Sequence, residues 1–411
     1  MATLATDPMD GKIVDPLDVS RPELYRDDTW HEPFRELRAK APVYYCEHSD
    51  FGPYWSVSTY KPLVEVESLP DLYSSEVGGI TIADMQPDDI KMPMFIAMDR
   101  PKHTGQRRTV APAFTPSEMV RMSENIRTRS AEILDSLPVG ETFDWVDRVS
   151  IELTTQMLAI LFDFPWEDRR KLTFWSDWAG DIEIAKDPVR KEERRQHLFE
   201  CAAYFGNLWQ GKIGKEPTPD LISMMIHSDA MAHMDQMEFL GNLILLIVGG
   251  NDTTRNSMSA YALGLDQFPD ERAKLEADPG LIPNAVQEII RWQTPLSHMR
   301  RTATQDTELA GQKIREGDKL ALWYVSANRD ESVFPNADKL IVDRENARRH
   351  LAFGHGIHRC VGARLAELQI GILLEEMAKR RLRVNVTGEV ERVAACFVHG
   401  YKKMPVELSH Y

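Results

Sequence analysis

Ten residues near the end of the chain, Phe353-Gly354-His355-Gly356-Ile357-His358-Arg359-Cys360-Val361-Gly362, constrain it more than any other stretch. One cysteine stands in a loop with three glycines, and the text that follows, Ala363-Arg364-Leu365-Ala366-Glu367-Leu368-Gln369-Ile370, reads as helix. Without a Cβ at Gly354, Gly356 and Gly362, the backbone can turn tightly and approach something flat and bulky. A cysteine at a helix N-terminus sees the positive end of the dipole and unpaired N–H groups, and both favour thiolate over thiol. An iron–sulfur cluster or a structural zinc needs several cysteines. Zinc held by His355, His358 and Cys360 crowds three ligands into six residues and leaves the fourth unnamed. A chance glycine-rich loop with an inert cysteine is the plainest alternative. A lone thiolate in such a loop suits a single axial ligand to haem iron.

The pattern Phe-Gly-x-Gly-x-His-x-Cys-x-Gly closely resembles the haem-ligand loop of the cytochromes P450, the haem-thiolate monooxygenases. Three other stretches resemble the same family, in its order and spacing. In Asp99-Arg100-Pro101-Lys102-His103-Thr104-Gly105-Gln106-Arg107-Arg108, His103 and Arg107 share a helix face. That face is either a solvated basic surface or a clamp for haem propionates, and the resemblance implies the clamp. Asp235, with Glu238 three residues on, starts a long apolar helix in the manner of a capping box. Its middle, Val248-Gly249-Gly250-Asn251-Asp252-Thr253-Thr254-Arg255, places glycines and hydroxyls where they weaken or bend a helix. By resemblance, 235–266 is the family's oxygen-binding helix, Gly249 lies against the haem, and Asp252 and Thr253 are its acid–alcohol pair. Arg255 has no evident role. Glu288-Ile289-Ile290-Arg291 with Arg344 resembles the family's buried Glu–Arg–Arg network, a matter of folding rather than chemistry. Arg301 and His358 match propionate-contacting positions, and Phe353 and Gly354 pack against the cofactor.

The 411 residues fit one domain, 1–411, mainly α with a small β-rich subdomain: the cytochrome P450 fold. Residues 1–30 read as an irregular arm, and the Met1–Pro8 start has no signal-peptide pattern. A helix over Tyr25–Lys40 and a hairpin of Val43–Cys46 with Tyr54–Ser58 follow. Residues 71–98 read as a long irregular connection and 118–230 as helices, with Trp166, Trp175 and Trp178 in core roles. The run Lys191-Glu192-Glu193-Arg194-Arg195 is most simply a solvated helix face. Turns at Ala310-Gly311 and Glu316-Gly317 divide β-prone segments, and 382–411 alternates like strands. The longest apolar-rich run, Phe239–Asn251, is thirteen residues, short of the about 17–25 a membrane span needs. Four cysteines far apart and no transmembrane segment fit a cytoplasmic protein, and a net charge of −15 argues against nonspecific nucleic-acid binding.

The resemblance implies haem b held between the long helix and Cys360, and insertion of one oxygen atom of O2 into an unactivated C–H bond. Asp252 and Thr253 would relay two protons. An intact acid–alcohol pair argues against a peroxygenase, and a haem sensor or electron carrier has little need of a polar groove. No flavin or iron–sulfur segment is evident, so electrons would come from a ferredoxin and its reductase. Arg348, Arg349, Arg359 and Arg364 are candidates for receiving an acidic ferredoxin, or they simply solvate the surface. Ile80, Ile82, Leu245, Val248, Leu296, Met299 and Phe397 fall where the family builds its substrate pocket, and all are apolar. The stretches Phe95–Asp99, Val248–Asn256 and Trp292–Arg301 are similar to the branch of soluble alkane and fatty-acid terminal hydroxylases. That implies ω-hydroxylation of medium-chain alkanes or fatty acids, with a terpenoid or small cyclic substrate as the alternative.

Overall fold

The computed structural model describes residues 5–6, 13–87, 89–183 and 187–411. The expected signal-free start falls largely outside them, as do residues 1–4 and 7–12 of the expected arm. The rest of that arm is more regular than its composition implies. Ala5–Thr6 pairs with Ile13–Val14, and Pro22–Arg26 is a short helix that buries Leu24 and Tyr25. Asp28 takes a left-handed φ of 57°, so the helix expected from Tyr25 begins only at His31 and runs to Lys40.

Val43–Cys46 and Tyr54–Val57 form the expected antiparallel hairpin, at one edge of a five-stranded sheet. Lys319–Trp323 runs parallel to Tyr54–Val57, then His298–Ala303 and Tyr73–Ser74 follow antiparallel. His298–Ala303 is buried along its whole length although it carries a histidine and two arginines. Each of those polar side chains therefore needs a partner, and their partners organise the site.

Residues 75–94 are indeed irregular but firmly attached. Arg300 N donates to Ile80 O at 2.7 Å, Ile82 N to His298 Nε2 at 3.2 Å, and Thr302 Oγ1 to Val77 O at 2.7 Å. Asp84 accepts from Arg300 NH1 at 2.6 Å and Lys319 Nζ at 2.9 Å. The long helix spans Gln236–Gln267, with Asp235 Oδ1 accepting from the N–H groups of Met237 and Glu238. Glu238 does not close the expected capping box. Its carboxylate faces Lys102 Nζ and Gln106 Nε2, tying the helix Lys102–Val110 to the long one.

Glu288, on the helix Ile282–Gln293, and both its arginines are buried and fully paired. Arg291 donates to both carboxylate oxygens at 2.7 and 2.8 Å, and Arg344 Nε to both at 2.9 and 3.0 Å. The remaining guanidinium N–H groups reach the carbonyls of Asn328, Ala337, Lys339, Pro335 and Asn336. One ion network thus pins the irregular 328–344 segment that leads to the cysteine loop. Three apolar clusters fill the interior: one under the sheet, one among the helices between 110 and 247, and one beneath the C-terminal strands. The site opens where the first two meet.

Candidate active site

A cavity of about 480 Å³ runs from the cysteine loop beneath the middle of the long helix to the 78–94 loop. Cys360 N donates to Phe353 O at 2.8 Å, closing the loop on itself just before the helix Ala363–Lys379. Gly354 and Gly356 take φ values of +69° and +65°. A Cβ on Gly356 would lie 2.2 Å from the Glu67 carbonyl oxygen, so only glycine fits there. Cys360 opens into the cavity. Burial pushes its thiol pKa up, against the lowering influence of the Gly362 N–H, Arg107 and Arg359.

At the polar end of the cavity, the rings of His103 and His358 lie 4.2 Å apart between centroids. All four of their ring nitrogens are buried without a partner. Burial and then neighbouring cations, Arg107 foremost at His103 and Arg301 at His358, hold both histidines neutral, with His103 down to about 4. Arg107 NH2 reaches the Arg359 carbonyl, and Arg301 donates to Arg300 O at 2.8 Å and to Glu67 Oε1 at 3.2 Å. Orphaned donors beside two guanidinium groups fit the carboxylates of an anionic cofactor edge. Haem propionates match that chemistry. Among the described residues no cluster of three His, Cys, Asp or Glu side chains is arranged to hold a metal ion.

Glu67 escapes any reading of the sequence, because it sits in an unremarkable helix, Tyr60–Ser68. Its buried carboxylate accepts from Tyr324 OH at 2.6 Å, Arg301 NH2 at 3.2 Å and His355 N at 2.7 Å. It joins the sheet, the cysteine loop and the propionate-type arginine at one point.

Over the cavity the long helix continues unbroken through 249–254. Thr253 Oγ1 donates to Gly249 O at 2.9 Å, so the hydroxyl borrows a helix carbonyl without breaking the helix. Asp252 is buried beside it. It accepts from Ser176 Oγ at 2.9 Å and Asn251 Nδ2 at 3.0 Å, and Arg255 NH2 lies 3.2 Å away. Burial raises its carboxyl pKa, and Arg255 opposes that shift. Arg255 also donates to Asp177 Oδ1 at 2.7 Å, which gives the arginine its place.

Ile80, Leu245, Val248, Gly249, Leu296, Met299 and Phe397 all line the cavity, together with Leu158, Met92 and Leu198. Ile82 does not. With its N–H held by His298, its side chain turns into the core under the sheet and is fully buried there. Phe353, Gly354, His358 and Arg301 are also on the wall. The charged run on the helix Pro188–Lys212 is only half solvated: Lys191 and Arg194 turn inward and line the far end.

A cytochrome P450 family model matches residues 280–390. The structure superposes on CYP153D17 from Sphingomonas sp. PAMC 26605 with TM-score 0.93 and 79% identity, covering 96% of this chain and 100% of that one. Linalool 8-monooxygenase of Pseudomonas putida is 35% identical over 95% of this chain and 98% of its own length. A methyl-branched lipid omega-hydroxylase of Mycobacterium tuberculosis H37Rv is 32% identical over 93% of this chain and 92% of its own length. With a relative that similar along almost its whole length, and with the cysteine loop built as described, the chain belongs to the cytochrome P450 family of haem-thiolate monooxygenases.

Proposed function

We propose that this monooxygenase hydroxylates the terminal methyl of medium-chain alkanes or fatty acids. The observation that carries the reading is the cavity: an apolar passage of about 480 Å³ ending at Cys360, with Leu245, Val248, Leu296, Met299 and Phe397 converging from three segments. A chain entering end-on presents its methyl first. Similarity to a lipid omega-hydroxylase supports the same regiochemistry.

The polar end suits haem b: His103, Arg107, Arg301 and His358 would hold its carboxylates, Phe353, Gly354 and Gly249 would line its site, and Cys360 would be the metal ligand. When bound, it supplies the activation of dioxygen and the attack on the C–H bond. The protein's part is placement and protons. Thr253 keeps its hydroxyl oxygen at the cavity wall while its hydrogen is held by Gly249 O. Asp252, buried and held by Ser176, Asn251 and Arg255, lines the cavity beside Thr253 and is the acid that would hold the protons to be delivered there. The apolar walls exclude bulk water.

Electrons come from a ferredoxin and its reductase. Arg348, Arg349, Arg359 and Arg364 are exposed around the cysteine loop, and none is ion-paired among the described residues. Replacing them with alanine flattens the salt dependence of reduction by an acidic ferredoxin; an unchanged dependence removes the docking role.

Similarity to linalool 8-monooxygenase favours a second reading, a branched terpenoid alcohol as substrate. The test is turnover with ferredoxin, reductase and NADH on dodecane, dodecanoate and linalool, with product positions assigned. Terminal alcohols from the straight chains support the proposal. In-chain products, or efficient turnover of linalool alone, refute it.

A further inference from the structure

The far end of the cavity carries a charge that the chain-hydroxylase reading does not use. The first turns of the helix Pro188–Lys212 carry four cations, of which Lys191, Arg194 and Arg195 line the cavity, and three of the four have a carboxylate. Arg190 NH2 lies 3.4 Å from Asp181, Lys191 Nζ 2.7 Å from Asp89, and Arg195 Nε 2.8 Å from Glu192. Arg194 has none within ion-pair distance among the described residues. Its NH2 donates to Ala179 O at 2.9 Å, which fixes the guanidinium over the end of the helix Arg170–Gly180. Its Nε is buried with no acceptor among the described residues. Asp181 and Asp89 offset its charge only from a distance.

A buried donor left unmade is costly, and a guanidinium presents two parallel N–H groups that match a carboxylate. The neighbouring wall is apolar, with Ile90, Met92, Leu198 and Leu245 leading from Arg194 into the passage. A ligand suited to both features has an anionic head and a hydrocarbon tail. Resting on the chain-hydroxylase reading above, we propose that Arg194 anchors the carboxylate of a fatty-acid substrate, so that its tail runs down the cavity and its terminal methyl reaches Cys360. Alkanes then bind by the apolar wall alone. Arg194 sets preference between the two substrate classes and fixes register for the acid.

The experiment is titration of the haem-loaded protein with dodecanoate, dodecan-1-ol and dodecane, reading the spin-state change in the absorption spectrum. Wild type, Arg194→Gln and Arg194→Lys are compared. In Arg194→Gln the dissociation constant for dodecanoate rises about tenfold to hundredfold, the range a charge-assisted hydrogen bond spans. Arg194→Lys recovers part of the loss, and both neutral ligands bind as in wild type. Equal changes for all three ligands, or none for dodecanoate, overturn the anchor. If dodecane shifts the wild-type spectrum and dodecanoate does not, the anchor falls while the chain reading stands. If neither does, both fall.

Discussion

Gly249 and Gly250, adjacent in the long helix, look alike in sequence and differ in what surrounds them. A Cβ on Gly249 would meet nothing within 4 Å, because it points into the cavity. On Gly250 it would lie 2.7 Å from Leu158 Cδ2. In a helix interior alanine is favoured over glycine by about 1 kcal/mol. Gly249→Ala therefore stabilises the fold by about that amount, which for a chain of 411 residues shifts the thermal midpoint upward by only about 1 °C. Gly250→Ala gains the same propensity but must turn Leu158 aside, a strain of about 0.5–1.5 kcal/mol, and ends near neutral. Function separates them the other way. The Gly249→Ala methyl stands in the groove one turn before Thr253, where a displacement of reacting groups costs roughly a hundredfold, whereas the Gly250→Ala methyl presses on Leu158 in the cavity wall instead of standing in the open groove. Urea unfolding at matched haem loading, together with terminal-alcohol yield from dodecane, reads both effects. A Gly249→Ala protein that is stabilised and fully active would show that the reacting space lies elsewhere. One that is destabilised would show that the groove is not open.

Glu288→Gln leaves two buried guanidinium groups without their counter-ion; the expected loss is about 3–5 kcal/mol, read as a lower urea midpoint or as insoluble protein. Gly356→Ala must push the cysteine loop off the Glu67 carbonyl and hold a left-handed φ; strain of roughly 1–3 kcal/mol displaces Cys360, and the carbon monoxide spectrum of the reduced protein loses its long-wavelength band. An unchanged band would mean the loop is not set by this contact. Burial holds the His298 imidazole down to about 4, below the ordinary 6.5. Because the folded value is the lower one, its contribution to stability is complete above 6.5 and is lost as pH falls towards 4. His298→Phe removes one proton equivalent from that acid slope of unfolding free energy; an identical slope would show that His298 is not the titrating group.

The parts of the site that lie in contiguous words were legible in the sequence. The cysteine loop, the His103–Arg107 helix face and the glycine–acid–alcohol stretch each combine residue types whose local geometry already implies a use. What stayed hidden depends on the fold bringing distant residues together. Glu67 gathers Arg301, Tyr324 and His355 from separate segments, and nothing within its own helix singles it out. Ile82 was placed with Ile80 on the cavity wall, but the hydrogen bond to His298 turns it into the core. The run 191–195 has the composition of a solvated face, and in the fold Asp89 draws Lys191 inward while the Ala179 carbonyl holds Arg194. At Cys360 the Gly362 N–H, Arg107 and Arg359 all favour the thiolate, and burial opposes them.

Arg255 shows how packing can supply a function that no motif announces. One guanidinium nitrogen touches two carboxylates of opposite character: Asp252, almost wholly buried, and Asp177, about half exposed. Buried alone, Asp252 would be held protonated; paired in solvent, it would be held ionised. In the folded chain burial raises its carboxyl pKa, and Arg255, Ser176 and Asn251 oppose the rise. Ser176 and Asn251 fix one of its oxygens, while the other faces Gly180, where even a Cβ would lie within 2.8 Å. The missing side chain at Gly180 leaves that oxygen the only room it has. The acid thus lines the cavity directly and is tied through Arg255 to the half-exposed Asp177, by residues drawn from two helices that adjoin only in the folded chain.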